Sequence, residues 1–179
     1  LFTYDNDESG TMELCVYEQC IEPPSNDLPC DATTLTIGSV LTGDNYCATS
    51  TSEIGVPSCW TGGNNNSVWY SFNAPPYGEV RITAEAIGDF EGQIALYEGT
   101  CAGLVEVECN MTTGEGCGPE GSSALVATGL NPGGDYMVRV DGRDDLEGEF
   151  ELNVSSLSTI SPHSGSDCSS PITLCSDIV

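Results

Sequence analysis

An acidic stretch near the start of the chain has the residue types and spacing of a calcium loop. Asp5, Asp7 and Ser9 alternate and are followed by Gly10, as at the opening of an EF-hand, where alternating oxygen ligands converge on a hard cation. The glutamate that an EF-hand needs at the end of its loop is missing, because Val16 stands there. The stretch fits either a calcium site or an ordinary solvated acidic turn.

A late copy of this stretch weakens the calcium interpretation. The copy ends at Gly148, which matches Gly10, and Arg143 takes the position of Asp5. A cationic side chain at a ligand position argues against an ion site shared by both copies. A calcium site in the late copy would require other carboxylates to regroup around the ion. These are Asp141, Asp144 and Asp145. Calcium is thus the one candidate cofactor, and it competes with the simpler turn.

The cysteines predict a disulfide framework. The chain has ten cysteines and no closely spaced CxxC pair, whereas a structural zinc site needs such thiolate pairs. Disulfides persist in oxidising surroundings, so we expect a secreted or cell-surface protein. Short spacing favours three pairs, each of which closes a small loop: Cys101 with Cys109, Cys47 with Cys59, and Cys20 with Cys30. The last pair would lock a proline-containing linker.

Two segments offer the components of a carbohydrate site, namely aromatic rings beside amide side chains. Trp60 precedes an Asn-rich run that contains Asn64, and Tyr77 lies in a Pro- and Gly-containing turn. These three residues are the candidate glycan contacts. A structural interpretation competes with this one, because aromatic residues fill sandwich cores and Asn-Gly clusters form ordinary turns.

The residues for catalysis are difficult to assemble from this sequence. A hydrolase triad needs a positioned base, and the one histidine, His163, lies in a Ser- and Pro-containing segment. Carboxylate pairs are expected by chance among 28 acidic residues. The motifs GxSxG, HExxH and the P-loop are missing. We therefore predict that the chain is not an enzyme.

The charge balance excludes two classes of partner. Three arginines and no lysine stand against 28 Asp and Glu, which gives a formal net charge of −25. Such a surface repels nucleic-acid phosphate and anionic lipid headgroups, and no apolar run approaches the roughly 20 residues of a membrane helix. We expect neither nucleic-acid binding nor direct membrane insertion. Divalent cations would relieve part of the self-repulsion.

Short β-strands must position all these residues. In the run SVWYSF, Val68, Tyr70 and Phe72 share one face and Trp69 takes the other, which is the alternation of a half-buried strand. Similar runs separated by turn residues predict strands within residues 33–37, 67–72, 79–86, 93–97, 104–109, 124–128, 135–140 and 149–154. With no convincing helical stretch, this pattern predicts an all-β fold, an antiparallel β-sandwich.

An internal repeat divides the chain into one whole domain and parts of two others. The interval between Gly10 and Gly148 equals that between Cys30 and Cys168, and a repeat of domain length marks a tandem array. We predict one complete domain at residues 26–156. The flanking parts are the last strands of a preceding repeat (1–19), a linker (20–25), a second linker (157–165) and the start of the next repeat (166–179).

Several segments, taken in order, resemble a known family. They are NDLPCDATTLTIG, ATSTSEIGVPSCW, NNSVWYSFNAP, GQIALYEGTCAGLVEVEC, LVATGLNPGGDYMVRVDG and GEFELNV. They resemble the tandem β-sandwich repeat domains of large secreted and surface proteins, including adhesins, of gliding and related Bacteroidetes. Those domains are similar to bacterial pre-peptidase C-terminal domains. The resemblance covers nearly all of residues 26–156 and implies a jelly-roll-like sandwich.

The resemblance implies an extracellular protein, and two classes of function stay open. The first is a non-catalytic repeat module of a large cell-surface adhesin or filament-like protein, with a spacer role and a role in attachment or gliding motility. Its partners would be the neighbouring repeats of the same polypeptide and surface glycans or other cells. The second is an accessory domain of a secreted hydrolase that binds carbohydrate or another substrate. Three sampled repeats favour the first class, since accessory domains usually occur in one or two copies.

Overall fold

Nine β-strands and two single-turn 3-10 helices build the part of the chain that the computed structural model describes, residues 20, 22–50, 54–61, 63–64, 66–111 and 121–157. The strands are β1 (Thr33–Thr34), β2 (Val40–Asp44), β3 (Val68–Asn73), β4 (Val80–Ile87), β5 (Gly92–Thr100), β6 (Gly103–Asn110), β7 (Ser123–Ala127), β8 (Asp135–Gly142) and β9 (Glu149–Ser156). The 3-10 turns are Pro29–Asp31 and Arg143–Asp145. The predicted all-β class is confirmed.

The strands form two sheets whose inner faces share one core. One sheet has the order β1-β3-β8-β5-β6 and the other the order β2-β9-β4-β7. Neighbouring strands are antiparallel except β1 and β3, which pair in parallel. This is the antiparallel β-sandwich that the sequence predicted. The described strands lie within residues 26–156, and the segments 1–19 and 158–179 fall outside the described residues, so the division into repeats stays a prediction.

Each predicted run contains a strand, whereas β2 was missed. Its sequence VLTGD includes Gly43 and Asp44, two residues typical of turns rather than strands. The glycine is required by packing, because a Cβ at Gly43 would collide with the Tyr70 hydroxyl and press on the Phe150 ring. A close approach between side chains and backbone thus gives this strand a turn-like sequence.

The main core lies between the sheets. Val68, Tyr70 and Phe72 of β3 point into it, as the alternation predicted. Tyr70 meets Phe150 of β9 edge to face, with ring centroids 6.2 Å apart. Aromatic contacts of this kind add to the burial of large apolar surfaces, so β3 and β9 hold the two sheets together near the middle of the sandwich.

A second apolar cluster covers the outer face of the five-stranded sheet. Trp69 of β3, Tyr97 of β5 and Met137 of β8 project outward there and are nearly fully buried. Trp60 packs onto them from the covering loop, which we define as residues 54–61. The outer face of an antiparallel sheet often faces solvent. Here it is buried under a loop, so Trp69 belongs to this layer and not to the core between the sheets.

Three disulfides connect the segments around this layer to the sandwich, in a pairing that differs from the predicted one. The bonds are Cys20–Cys47, Cys30–Cys101 and Cys59–Cys109. The predicted pairs Cys101–Cys109, Cys47–Cys59 and Cys20–Cys30 are wrong. The same six cysteines are involved, but each bond spans separate elements instead of closing a short loop.

The extended geometry of β6 explains the error for one pair. Cys101 lies in the two-residue turn before this strand and Cys109 lies near the strand's end, and the stretch from Gly103 to Cys109 alone spans roughly 20 Å at ~3.3 Å per residue. A disulfide needs Cα atoms within about 7 Å. Spacing alone cannot reveal that the covering loop brings Cys59 to the far end of this strand.

Candidate functional site

An arginine is fully buried on the outer face of the five-stranded sheet. Arg139 lies on the central strand β8, between its register partners Trp69 of β3 and Ala95 of β5. Its guanidinium carbon lies over the rings of Trp60 and Trp69, 5.3 Å from each centroid. A desolvated cation–π contact contributes about 2 kcal/mol. The small side chain of Ala95 leaves room for this cation beneath the covering loop.

Hydrogen bonds fix the guanidinium from two more sides. Its Nε donates to Ser67 Oγ at 2.8 Å, and its Nη1 donates to the Gly55 carbonyl of the covering loop at 3.2 Å. The Ser67 hydroxyl in turn donates to Asp141 Oδ2. A neutral hydroxyl therefore links the buried cation to a buried carboxylate, and the loop is attached to the cation through its backbone.

Asp141 titrates differently from an ordinary carboxylate. Burial is the largest effect and raises the pKa of Asp141 to about 6, although the Ser67 hydrogen bond and the Arg139 charge both lower it. The desolvation of an anion in a site without solvent outweighs these stabilising partners. Asp141 therefore binds a proton in the folded protein at pH values where it is ionised in the unfolded chain.

Gln93 lies beside this carboxyl on β5, as its register partner. Its Nε2 donates to the Gly63 carbonyl at 3.0 Å. Within the described residues, neither its Oε1 nor Asp141 Oδ1 has a hydrogen-bond partner, and both atoms are buried. Both are acceptors when Asp141 is ionised, whereas a protonated carboxyl can donate. The Gln93 side chain and the Asn66 backbone also lower the pKa of Asp141, but burial outweighs them.

Further contacts hold the covering loop against the sheet. Trp60 Nε1 donates to the Ile94 carbonyl at 3.2 Å, and the Ser58 backbone N–H donates to both carboxylate oxygens of Glu106 at 3.1 and 3.0 Å. The Cys59–Cys109 bond lies beside them. The polar groups of the cluster thus bind one another and the loop, an arrangement that positions backbone.

The structure separates the candidate glycan contacts. Trp60 is 5% exposed and its ring is covered, whereas Tyr77 is 73% exposed in the turn after β3. Trp60 donates a hydrogen bond to the Ile94 carbonyl. Ile94 and Val68 both pair with the same residue of β8, so Trp60 lies near the Val68 end of β3. Tyr77 follows the opposite end of that strand, roughly 17 Å or more away at ~3.3 Å per residue. Trp60 therefore cannot form one platform with Tyr77, and Asn64 is partly buried.

The candidate calcium ligands are not brought together either. Asp5, Asp7 and Ser9 lie outside the described residues. Asp141 is buried against Ser67, while the Asp144 side chain is 70% exposed and lies 3.5 Å from Arg143. Across the described ranges, no group of three or more His, Cys, Asp or Glu could hold a metal ion. The regrouping of Asp141, Asp144 and Asp145 around an ion stays a prediction.

Two open clefts flank the Cys30–Cys101 disulfide. The larger, about 650 Å³, is lined by this disulfide, by Leu104 and by Ile54 of the covering loop. The smaller, about 340 Å³, lies on the outer face beside β1, and its polar lining includes Thr34, Ser71, Asn73, Thr100 and Asp135. Asn73 Nδ2 donates to Asp135 Oδ1 at 2.8 Å there. The smaller cleft thus presents hydroxyl, amide and carboxylate groups near the surface.

Comparison with protein families assigns the chain. Residues 48–154, more than half of it, match a T9SS-associated family described as galactose binding domain-like. The chain belongs to this galactose binding domain-like family. The match runs from the loop before β3 to the end region of β9, so it includes the covering loop and the Arg139 cluster. It confirms the resemblance to β-sandwich domains of secreted Bacteroidetes proteins.

Other comparisons add little to the galactose binding domain-like assignment. One of eight matching solved chains is the pre-peptidase C-terminal domain of a collagenase from Bacillus anthracis, with 16% identity, a TM-score of 0.43, and coverage of 69% of this chain and 93% of that one. No curated protein matches. In the described ranges, no helix is long and apolar enough to cross a bilayer. The family and the disulfides indicate a secreted, extracellular module of a typically non-catalytic kind.

The Arg139 cluster of this galactose binding domain-like chain was missed from the sequence. In the run YMVRV, Arg139 occupies the outward position of an otherwise apolar strand, directly opposite Trp69. The chain has only three arginines, and finding one of them at such a position was the available signal of a buried charged cluster. The hydrogen-bond partners of Arg139 are Ser67 and Gly55, which come from distant segments with no motif, so their assembly could not be predicted from spacing.

Proposed function

We propose that this chain is a non-catalytic structural module of a large secreted or cell-surface protein, a spacer whose main partners are neighbouring repeats of the same polypeptide. The observation that carries the proposal is that disulfides attach the covering loop and the segment before β1 to the rest of the sandwich. Cys59 lies in the covering loop and bonds to Cys109, while Cys20 and Cys30 lie before β1 and bond to Cys47 and Cys101. Beneath the covering loop, Arg139 and Gln93 donate to the backbone carbonyls of Gly55 and Gly63.

The energetics support an extracellular structural role. The disulfides span 27, 71 and 50 residues, and the chain-entropy relation gives about 3.5 to 4.5 kcal/mol of stabilisation for each. The folding of a chain with a formal net charge of −25 is opposed by the repulsion between its own charges. Covalent bonds that do not depend on salt or pH offset that repulsion outside the cell.

Domain replacement in the full-length protein tests the spacer role. One version deletes residues 26–156, and a second replaces them with an unrelated disulfide-bonded sandwich of similar length. A spacer predicts reduced attachment of cells after deletion and recovery after replacement. If replacement fails to restore attachment while the isolated domain itself coats surfaces and captures cells, the module is an adhesive and the spacer proposal is wrong.

A second candidate is carbohydrate binding at the smaller cleft, as an accessory domain of a secreted hydrolase would require. The specific observation is the polar lining, since the Asn73–Asp135 pair and the hydroxyls of Thr34, Ser71 and Thr100 are the groups that bond sugar hydroxyls. The description of the family as galactose binding domain-like favours testing galactose first.

Titration separates this candidate from the predicted glycan contacts. Galactose and galactose-containing polysaccharides are titrated by isothermal calorimetry against the wild type, Asp135→Ala and Tyr77→Ala. Loss of binding only in Asp135→Ala supports the cleft, and loss only in Tyr77→Ala supports the turn. The control, Glu85→Gln, changes an exposed carboxylate on β4 of the other sheet. If the wild type binds neither galactose nor the polysaccharides, carbohydrate binding at the smaller cleft is wrong.

A further inference from the structure

One disulfide determines where tension enters the sandwich. Cys20 is bonded to Cys47, which follows the Asp44 end of β2 by three residues and whose backbone N–H donates to Glu147 Oε1 at 3.0 Å. A pull on the chain upstream of Cys20 is transmitted to Cys47 through this covalent bond. The load therefore reaches β2 at its Asp44 end, although the chain itself enters β2 at Val40.

The chain leaves the sandwich at the opposite end of the same strand pair. β9 is antiparallel to β2, and the register joins Val40 to Asn153 and Asp44 to Glu149. The chain continues beyond Ser156, next to the Val40 end. The two points of attachment, Cys47 and the residues after Ser156, are thus at opposite ends of one ladder.

The direction of loading decides how such a ladder resists. When two antiparallel strands are pulled from opposite ends, they slide along each other and all the cross-strand bonds are stretched together. When they are pulled from the same end, the bonds open one after another. The inter-strand bonds of an antiparallel pair lie perpendicular to the strands, so the first geometry loads them in shear and needs much more force.

We propose that the β2–β9 pair is a load-bearing clamp, which the Cys20–Cys47 disulfide places in shear when the chain is under tension. The pair is reinforced at both ends. Asn45 N–H donates to the Gly148 carbonyl at 3.2 Å, and Gly38 N–H donates to the Val154 carbonyl at 2.7 Å. The clamp gives the module a mechanical function beyond spacing, and its use in a strung protein rests on the proposed function.

β9 is also well anchored on its other side. Eight residue pairs join it to β4, from Val80↔Ser156 to Ile87↔Glu149. Phe150, Leu152 and Val154 are buried in the core between the sheets. A strand with ladders on both edges and an apolar face in the core does not peel away, so β2 must slide along it before the domain extends.

Single-molecule force spectroscopy on the oxidised full chain tests the clamp, with handles at the two termini. The three disulfides of the described residues leave the stretches 47–59 and 109–157 to extend, so with these bonds intact unfolding lengthens the chain by about 20 nm, against about 45 nm in reductant, at ~3.5 Å per residue. The comparison geometry moves the N-terminal handle to position 39, where an azide-bearing amino acid replaces the exposed Ser39. All three disulfides stay intact, but the ladder is now pulled from its Val40 end.

The clamp predicts a rupture force several-fold lower with the handle at position 39. Equal rupture forces in the two geometries would show that the clamp is wrong. The spacer role would then still be decided by the domain-replacement experiment alone. A successful clamp together with a failed replacement would instead mean that the module bears load in an adhesive protein.

Two disulfide variants give an independent test in the terminal geometry. In Cys20→Ala/Cys47→Ala, tension enters at Cys30, which Cys101 joins to the other sheet, so the rupture force falls. The matched control Cys59→Ala/Cys109→Ala removes a bond that spans more residues, 50 against 27, but this bond holds neither strand of the β2–β9 ladder, so the force at which the ladder ruptures keeps its wild-type value. If both variants weaken the domain equally, the effect is general stability and the clamp is wrong.

Discussion

Replacing Asp141 by asparagine should stabilise the protein at neutral pH. Folding raises the pKa of this carboxyl from 3.8 to about 6, chiefly through burial. Each pH unit of that displacement corresponds to about 1.4 kcal/mol, so the ionised group destabilises the fold by about 3 kcal/mol at pH 7. The substitution Asp141→Asn removes this cost, because the neutral amide accepts from Ser67 and can donate to Gln93 Oε1.

The sign of the pH dependence follows from proton binding. Below about pH 4 both folded and unfolded chains hold the proton, and the wild type keeps its full stability there. Between about pH 4 and 6 the folded state binds more protons than the unfolded state, so wild-type stability falls as the pH rises. The free-energy advantage of Asp141→Asn should therefore be small near pH 4, grow through this window and level off above it.

Urea unfolding followed by far-UV circular dichroism between pH 4 and pH 8 measures this difference. Other carboxylates affect both proteins alike, so subtracting the two curves isolates Asp141. The matched control is Asp135→Asn on the same strand, whose side chain is exposed. Parallel stability curves for wild type and Asp141→Asn would refute the reasoning, as would a variant that is less stable at pH 7 than at pH 4 relative to wild type.

Three further predictions concern other parts of the molecule. Arg139→Ala removes two cation–π contacts and two charged hydrogen bonds and should lower the unfolding free energy by about 4 kcal/mol; a loss below about 1 kcal/mol in the same urea assay would mean that the cluster is not structural. Peptide mapping of the non-reduced protein by mass spectrometry should recover peptides joined through Cys59 and Cys109, and recovery of Cys101 joined to Cys109 would contradict the fold. Thermal melts in calcium and in chelator should superimpose if the acidic stretch at Asp5 is a solvated turn, and a higher melting temperature in calcium would revive the ion site.

The sandwich could be predicted because alternation is a local signal. Every strand with one apolar face, such as β3 and β8, repeats it at every second residue. β2 could not be recognised, because its glycine, Gly43, is required by the close approach of the Tyr70 hydroxyl from another strand. The alternation placed Trp69 on the face opposite to Val68, Tyr70 and Phe72, but the sequence did not show that the covering loop buries that face.

The disulfide pairing and the buried charged cluster could not be predicted either, because both depend on contacts between segments that are distant in sequence. A short loop is the easiest ring to close in an unfolded chain, and that preference suggested pairing Cys101 with Cys109. In the fold, the rigid strand between these two residues overrides it. Ser67, Gln93 and Asp141 likewise meet only because β3, β8 and β5 lie side by side. Contacts set by strand order cannot be read from spacing along the chain.

The position of the two tryptophans lets fluorescence report on the outer layer alone. The chain has only two, Trp60 and Trp69, and both lie in the outer layer, whereas the aromatic residues between the sheets are tyrosines and phenylalanines. Indole emission therefore reports whether the covering loop is seated, while backbone ellipticity reports the sandwich itself. A solution condition that shifts the emission and spares the ellipticity would show the loop lifting from an intact body, so a single unlabelled sample can time the two events separately.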